Sequence, residues 1–120
     1  MELSVAFPPH PDVADHVRLA EELGYRRAWI YDSPALYGDV WMQLAECARV
    51  TDRIGLGPGV AVPSLRHPMV SASAAATLAQ LAPGRANMAF GTGFTGRFVM
   101  GQRPLTWATC ERYLEQVTGL

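Results

Sequence analysis

Two periods of apolar and polar residues alternate along the chain. Leu3 to Phe7 is a short apolar run closed by Pro8-Pro9, which predicts a buried strand followed by a stiff loop. The spacing then lengthens. Val13, Val17, Ala20 and Leu23 fall on one face of a helix, with Asp12 placed to cap it and Gly24 to end it. Ala28-Trp29-Ile30-Tyr31 predicts a second strand that stops at Asp32-Ser33-Pro34, and Asp39 opens a helix carrying Val40, Leu44 and Cys47. A third strand starts at Ile54 and runs into Gly57-Pro58-Gly59. Arg66-His67-Pro68 opens the third helix, small and Ala-rich from Ser71 to Leu81. Pro83-Gly84 stops it before a fourth strand, Ala86 to Phe90. Gly91 to Gly101 reads as a glycine-rich loop in which no helix opens. Thr106 then caps a last helix with Trp107, Cys110, Leu114 and Val117 on one face.

Four strand-helix units with non-alternating strands predict a parallel sheet, because parallel neighbours need crossover helices and hide both faces. Such a sheet is completed either as a doubly wound open sheet or as a closed (β/α) barrel of about 250 residues, of which four units make half. In both architectures the chemistry gathers at the C-terminal strand ends. Here those ends carry Pro8-Pro9, Asp32-Ser33-Pro34, Gly57-Pro58-Gly59 and Gly91-Thr92-Gly93.

Composition removes several function classes. The 120 residues are 49% apolar with a net charge of -1, as expected of a single soluble domain. The arginines are scattered, so neither nucleic acid nor an anionic membrane surface is implied. The N-terminus has no basic stretch before an apolar run, and no run reaches the length of a membrane span, which points to a cytoplasmic protein. Cys47 and Cys110 lack any metal or redox spacing and read as reduced packing residues; no pair of histidines has ligand spacing either.

Three constellations bear on chemistry. Gly57 and Gly59 remove side chains at a strand end, each at about 0.5–1 kcal/mol relative to Ala, which would let a flat ring or another backbone come close; a plain turn would use the same residues. Gly91-Thr92-Gly93-Phe94-Thr95-Gly96 matches the dinucleotide fingerprint in letters, but neither a helix opening at Gly96 nor an acidic residue on a second strand about 20 positions on is expected. Asp32, beside Tyr31 and Ser33, could orient a ligand or serve as a base if burial raised its pKa; a capped turn is the alternative.

The ordered set Ile54-Gly-Leu-Gly-Pro-Gly-Val60, Arg66-His67-Pro68, Thr77-Leu-Ala-Gln-Leu81, Pro83-Gly-Arg85 and Gly91-Thr-Gly93 resembles the luciferase-like flavin-dependent oxidoreductases, most of all their methylenetetrahydromethanopterin reductase branch. The resemblance implies the N-terminal half of a TIM-type (β/α)8 barrel that holds FMN or the deazaflavin coenzyme F-420 at its mouth. It also implies hydride transfer between that cofactor and a small-molecule substrate. Gly57, Gly59, Val60, Ala61, Gly91, Thr92 and Gly93 would then face the cofactor, with a non-prolyl cis peptide at Gly59-Val60, and Asp32 would be the catalytic candidate. Ala61-Val62 stands where many relatives have Thr-Asn, and Phe94 where many have an acidic residue. The family's phosphate-holding second half lies beyond these residues, so the chain is expected to be a fragment, a truncated gene product, or a half that pairs with itself or with a separate second half, with gene truncation favoured. A non-catalytic, partner-binding half-barrel is the rival reading.

Overall fold

The computed structural model describes residues 1–120. In it β1 (Ser4–Phe7), β2 (Arg27–Ile30) and β3 (Gly55–Pro58) form a parallel sheet in the order β1-β2-β3. The register pairs Val5 with Ala28, Phe7 with Ile30, Ala28 with Leu56 and Ile30 with Pro58. The helices α1 (Val13–Glu22), α2 (Val40–Val50) and α3 (Pro68–Leu81) follow the three strands, and α4 (Phe94–Val99) and α5 (Trp107–Thr118) complete the chain.

One face of the sheet is covered. Val13, Val17 and Ala20 of α1, Val40, Leu44 and Cys47 of α2, and Leu78 of α3 close over Ala28, Ile30, Ile54 and Leu56 in a single core. Burial pushes the Cys47 thiol up to about 12, so it packs and does not react. Along β1 and β2 the opposite face is open, which corrects the expectation of strands buried on both sides; β3 is buried at all four positions. Ser4 and Ala6 are exposed and Arg27 and Trp29 only half-buried, because no second layer lies over them.

The helix ends follow the local chemistry with one exception. Asp39 accepts from the Trp41 and Met42 amides, His67 from Met69, and Thr106 from Thr109, while Gly24 takes φ +87° beyond α1. Asp12 holds the cap position of α1 without a side-chain bond; its own amide instead donates to His10 Nδ1 at 3.2 Å. In α5 the buried residues are Cys110 and Tyr113, whereas Trp107 is 72% exposed and Leu114 stands at the surface, so the helix is turned away from the face that its apolar spacing suggested.

The fourth strand is also corrected. Ala86 to Phe90 runs parallel to β3 but touches it only through isolated bridges, Leu56 with Ala86 and Ala61 with Phe90. Leu56 makes both of its ladder bonds, to the Arg85 carbonyl and from the Asn87 amide. The next donor due on the ladder belongs to Pro58, which has none. Four residues, 57–60, then oppose three, 87–89, before Ala61 resumes pairing with the Ala89 carbonyl and the Gly91 amide; this is a bulge. The Gly59-Val60 peptide inside it is cis, as the resemblance implied.

Candidate functional site

A cleft of about 410 Å³ lies at the C-terminal ends of β2 and β3. Three segments line it: Tyr31, Asp32, Ser33, Leu36 and Tyr37 from the β2-α2 connection; Gly59, Val60 and Val62 after β3; and Phe94, Thr95 and Gly96 from α4. Its wall is mainly aromatic and aliphatic, with Phe94 67% exposed at its edge.

The glycine-rich segment is not the helix-free loop expected from sequence. Gly93, at φ +79°, starts the six-residue α4, which carries Phe94 to the cleft. At Gly93 a Cβ would also collide with Val62 Cγ1. Arg97 donates from Nε to the Arg103 carbonyl at 2.5 Å and closes the loop behind α4. The chain goes on from α4 to α5 with no further strand, so the fingerprint letters do not sit in a dinucleotide-binding unit.

Of the residues singled out in the sequence, Asp32, Gly59 and Val60 meet in the cleft. Gly57, Ala61, Gly91, Thr92 and Gly93 lie outside its lining. The room left by the strand glycines is taken by the protein itself. A Cβ at Gly57 would overlap the Asn87 carbonyl, one at Gly55 would meet Asn87 Nδ2 at 2.8 Å, and one at Gly59 would meet Trp29 Cβ at 2.7 Å. Gly55, Gly57 and Gly59 are thus a bare row on the open face of the sheet, filled by Asn87 and Trp29. At Gly91 a Cβ would meet Val60 Cγ2 at 2.7 Å, so this glycine seats the valine that faces the cleft.

Asp32 is 4% exposed. Its Oδ2 accepts from Arg66 Nη1 at 2.8 Å and from the Val62 amide at 3.2 Å, while Oδ1 is buried with no hydrogen-bond partner. Arg66 Nη2 reaches Asp39 Oδ2, also at 2.8 Å. Burial disfavours the charges of both Asp39 and Arg66, but their mutual bond and the remaining contacts outweigh it. The Asp39 carboxyl is therefore held below its usual range and the Arg66 guanidinium above its own. Arg66 was read from sequence as part of a helix start and of the ordered set that carries the resemblance, with no site role, and Tyr37 and Leu36 were not singled out. The one signal for these two was an apolar pair inside a loop.

His10 and His16 form a separate pair at the end of β1, Nε2 to Nδ1 at 3.3 Å, with the His16 ring stacked on Phe7. Neither lines the cleft, and no group of three or more His, Cys, Asp or Glu residues is arranged to hold a metal.

Parallel strand-helix units with a cleft at the C-terminal strand ends define a class of α/β protein that binds ligands at that rim. Within that class, residues 3–108 match the family described as luciferase-like monooxygenase, and the chain belongs to that family. It is 37% identical over 86 residues to the 5,10-methylenetetrahydromethanopterin reductase of Methanopyrus kandleri, covering 72% of this chain and 24% of that protein. The solved F420-dependent tetrahydromethanopterin reductase of the same organism superposes with a TM-score of 0.82 at 29% identity, over 95% of this chain and 38% of that one. The F420-dependent glucose-6-phosphate dehydrogenase of Kineococcus radiotolerans is 42% identical over 91 residues, 68% of this chain and 26% of that protein. A Pseudomonas putida diketocamphane monooxygenase solved with FMN shares the fold, with a TM-score of 0.72 at 18% identity over 99% of this chain and 37% of that one. The chain thus spans between about a quarter and two fifths of the length of these relatives. No helix is long and apolar enough to cross a membrane.

Proposed function

We propose that the chain forms the N-terminal part of the mouth of an F420- or FMN-dependent oxidoreductase with a (β/α)8 barrel, in which a hydride passes between the cofactor and a small organic substrate. The observation that carries this reading is the cleft itself. It lies at the C-terminal strand ends and has the size and apolar wall of a small-molecule site, in a chain several of whose relatives are named as F420-dependent enzymes.

The residues present fit the ring of such a cofactor. Tyr31, Leu36, Tyr37, Val60 and Phe94 offer apolar surface to a flat heterocycle, and Asp32 brings to the same wall a buried carboxylate oxygen that has no partner. They do not fit its phosphate, since no Lys or Arg lines the cleft. On this reading the phosphate is held by the second half of the barrel, outside the 120 residues. When bound, the flavin or deazaflavin supplies the hydride chemistry, and the protein supplies orientation and exclusion of water. Val60 and the aromatic side chains hold the ring. Asp32, already committed through Oδ2 to Arg66, orients a polar group of cofactor or substrate and is not the free base that the sequence suggested.

The test is a titration of the 120-residue chain with FMN and, separately, with F-420, following cofactor fluorescence while particle mass is recorded. Saturable binding at one cofactor per barrel-sized particle supports the proposal. A folded chain that binds neither, alone or in pairs, refutes it for this chain and leaves the partner-binding reading.

A further inference from the structure

The cleft wall contributed by the β2-α2 connection has no regular structure between Ile30 and Val40, yet it carries Tyr31, Ser33, Leu36 and Tyr37 to the cleft. A loop of this length is held in one shape only if something fixes it from outside. Its internal backbone bonds are two, from the Leu36 and Tyr37 amides to the Ser33 carbonyl at 2.9 and 3.0 Å.

Besides the Val62 amide on Asp32 Oδ2, the outside contact is a single guanidinium, and it alone reaches both ends of the loop. Arg66 donates through Nη1 to Asp32, at the start of the loop, and through Nη2 to Asp39, at its end, both at 2.8 Å. Asp39 meanwhile uses its other oxygen to cap α2, at 2.9 Å from the Trp41 amide and 3.1 Å from that of Met42. The Arg66 side chain is 14% exposed and that of Asp32 1%, so this pair is shielded from water, whereas Asp39 is 40% exposed and its pair is partly screened. Its own backbone is fixed in turn. Tyr113 of α5 donates its hydroxyl proton to the Arg66 carbonyl at 2.9 Å, which leaves Ser71 of α3 as the donor in the 2.6 Å contact between the Ser71 and Tyr113 hydroxyls. Three parts of the chain thus converge on the two ends of one loop.

We infer that Arg66 is a positioning residue: by gripping both ends of the Ser33–Gly38 loop it sets the distance between Tyr37 and Val60 across the cleft, and hence the grip on the bound ring. The part of this inference that concerns the ring rests on the cofactor reading above; the part that concerns the loop does not. Lysine can replace arginine here only in part, because one ammonium on a flexible stem keeps the charge but lacks the planar fork that meets two carboxylates at once.

The experiment compares the full chain with Arg66→Gln, Arg66→Lys and Asp39→Asn by amide hydrogen exchange and by FMN and F-420 titration. In Arg66→Gln the Leu36 and Tyr37 amides are expected to exchange about tenfold faster, while the Tyr31 amide of the sheet and the α2 amides keep their protection. Cofactor affinity should fall about tenfold, and Arg66→Lys should recover part of both effects. Unchanged exchange at Leu36 and Tyr37 overturns the proposal, and so does faster loop exchange with unchanged affinity. Should Arg66→Gln loosen the whole sheet, Asp39→Asn decides. It keeps an oxygen for the α2 cap and removes only the charge that faces Arg66, so loop exchange as in the parent chain refutes the clamp. A parent chain that binds neither cofactor refutes the cofactor reading, and the exchange data still judge the loop.

Discussion

The two ends of the sheet solve the same problem in opposite ways. At the N-terminal end the turn from α2 into β3 is satisfied on both sides by charged side chains. Glu21 accepts from the amides of Asp52, Arg53 and Ile54 at 2.6 to 3.2 Å. Arg85 donates to the carbonyls of Ala48, Thr51 and Ile54 and to the Thr51 hydroxyl at 3.0 to 3.4 Å. Nothing in that turn is left for a ligand. At the C-terminal end Arg66 and Asp39 tie down a loop, but Asp32 keeps an orphaned oxygen and the loop borders an open cleft. Charged groups at the lower end satisfy the backbone of a closed turn; those at the upper end fix a loop beside an open cleft.

Substitutions should separate the two ends. The largest effect is expected from Arg85→Met, which strips donors from three carbonyls near the C-terminus of α2 and should cost about 3 kcal/mol. Thermal denaturation checks this, and cofactor affinity per folded molecule should not change. Gly93→Ala comes next, at about 2 kcal/mol, because it forces φ +79° on an L residue and drives a methyl group into Val62. Being at the upper end, it should also weaken cofactor binding; loss of stability with unaltered affinity would erase the contrast.

Glu21→Gln should cost about 1 kcal/mol, or about 4 °C in Tm, since water partly screens the site. Burial opposes ionisation of Glu21, but the three amides and the Arg53 charge outweigh it, so its pKa is lowered. The Asp39 pKa is lowered as well. A carboxylate depressed in the folded state stabilises fully above its unfolded value, and this stabilisation is lost as the pH falls from about 4 through the folded value. Tm measured between pH 6 and pH 3 should therefore drop less steeply in Glu21→Gln than in the parent. Smallest in stability is Phe94→Ala, within about 0.5 kcal/mol at an exposed site, yet it should lower cofactor affinity measurably. A change in Tm without a change in binding would place Phe94 in the structural category of the lower end.

Much of the frame was legible because it depends on local chemistry. Pro68 and His67 start α3, Asp39 caps α2, and Gly24 ends α1, each decided by a few neighbouring residues. What was not legible depends on contacts distant in sequence. Arg66 meets Asp32 across 34 positions, and Glu21 reaches Ile54 across 33, and no periodicity records such pairs. The short α4 escaped because six residues with an internal glycine have little helix propensity of their own, and here the Gly93 turn and packing at the cleft supply the rest. The rim was foreseen from the ends of the strands. Asp32, Gly59 and Val60 of the cleft wall were foreseen as well, but Leu36 and Tyr37 were not, since they look like any apolar pair in a loop until the fold brings them into the same cleft as Val60.

The bare row on the open face of the sheet also supplies an internal optical probe. The chain has three tryptophans, Trp29, Trp41 and Trp107. Trp107 is exposed on α5 and Trp41 packs against the helix side of the core, whereas Trp29 lies against Gly59, one residue from the wall of the cleft. With Trp41 and Trp107 replaced by phenylalanine, the remaining indole emission would report the order of the β3 bulge and of the site above it, with no dye attached.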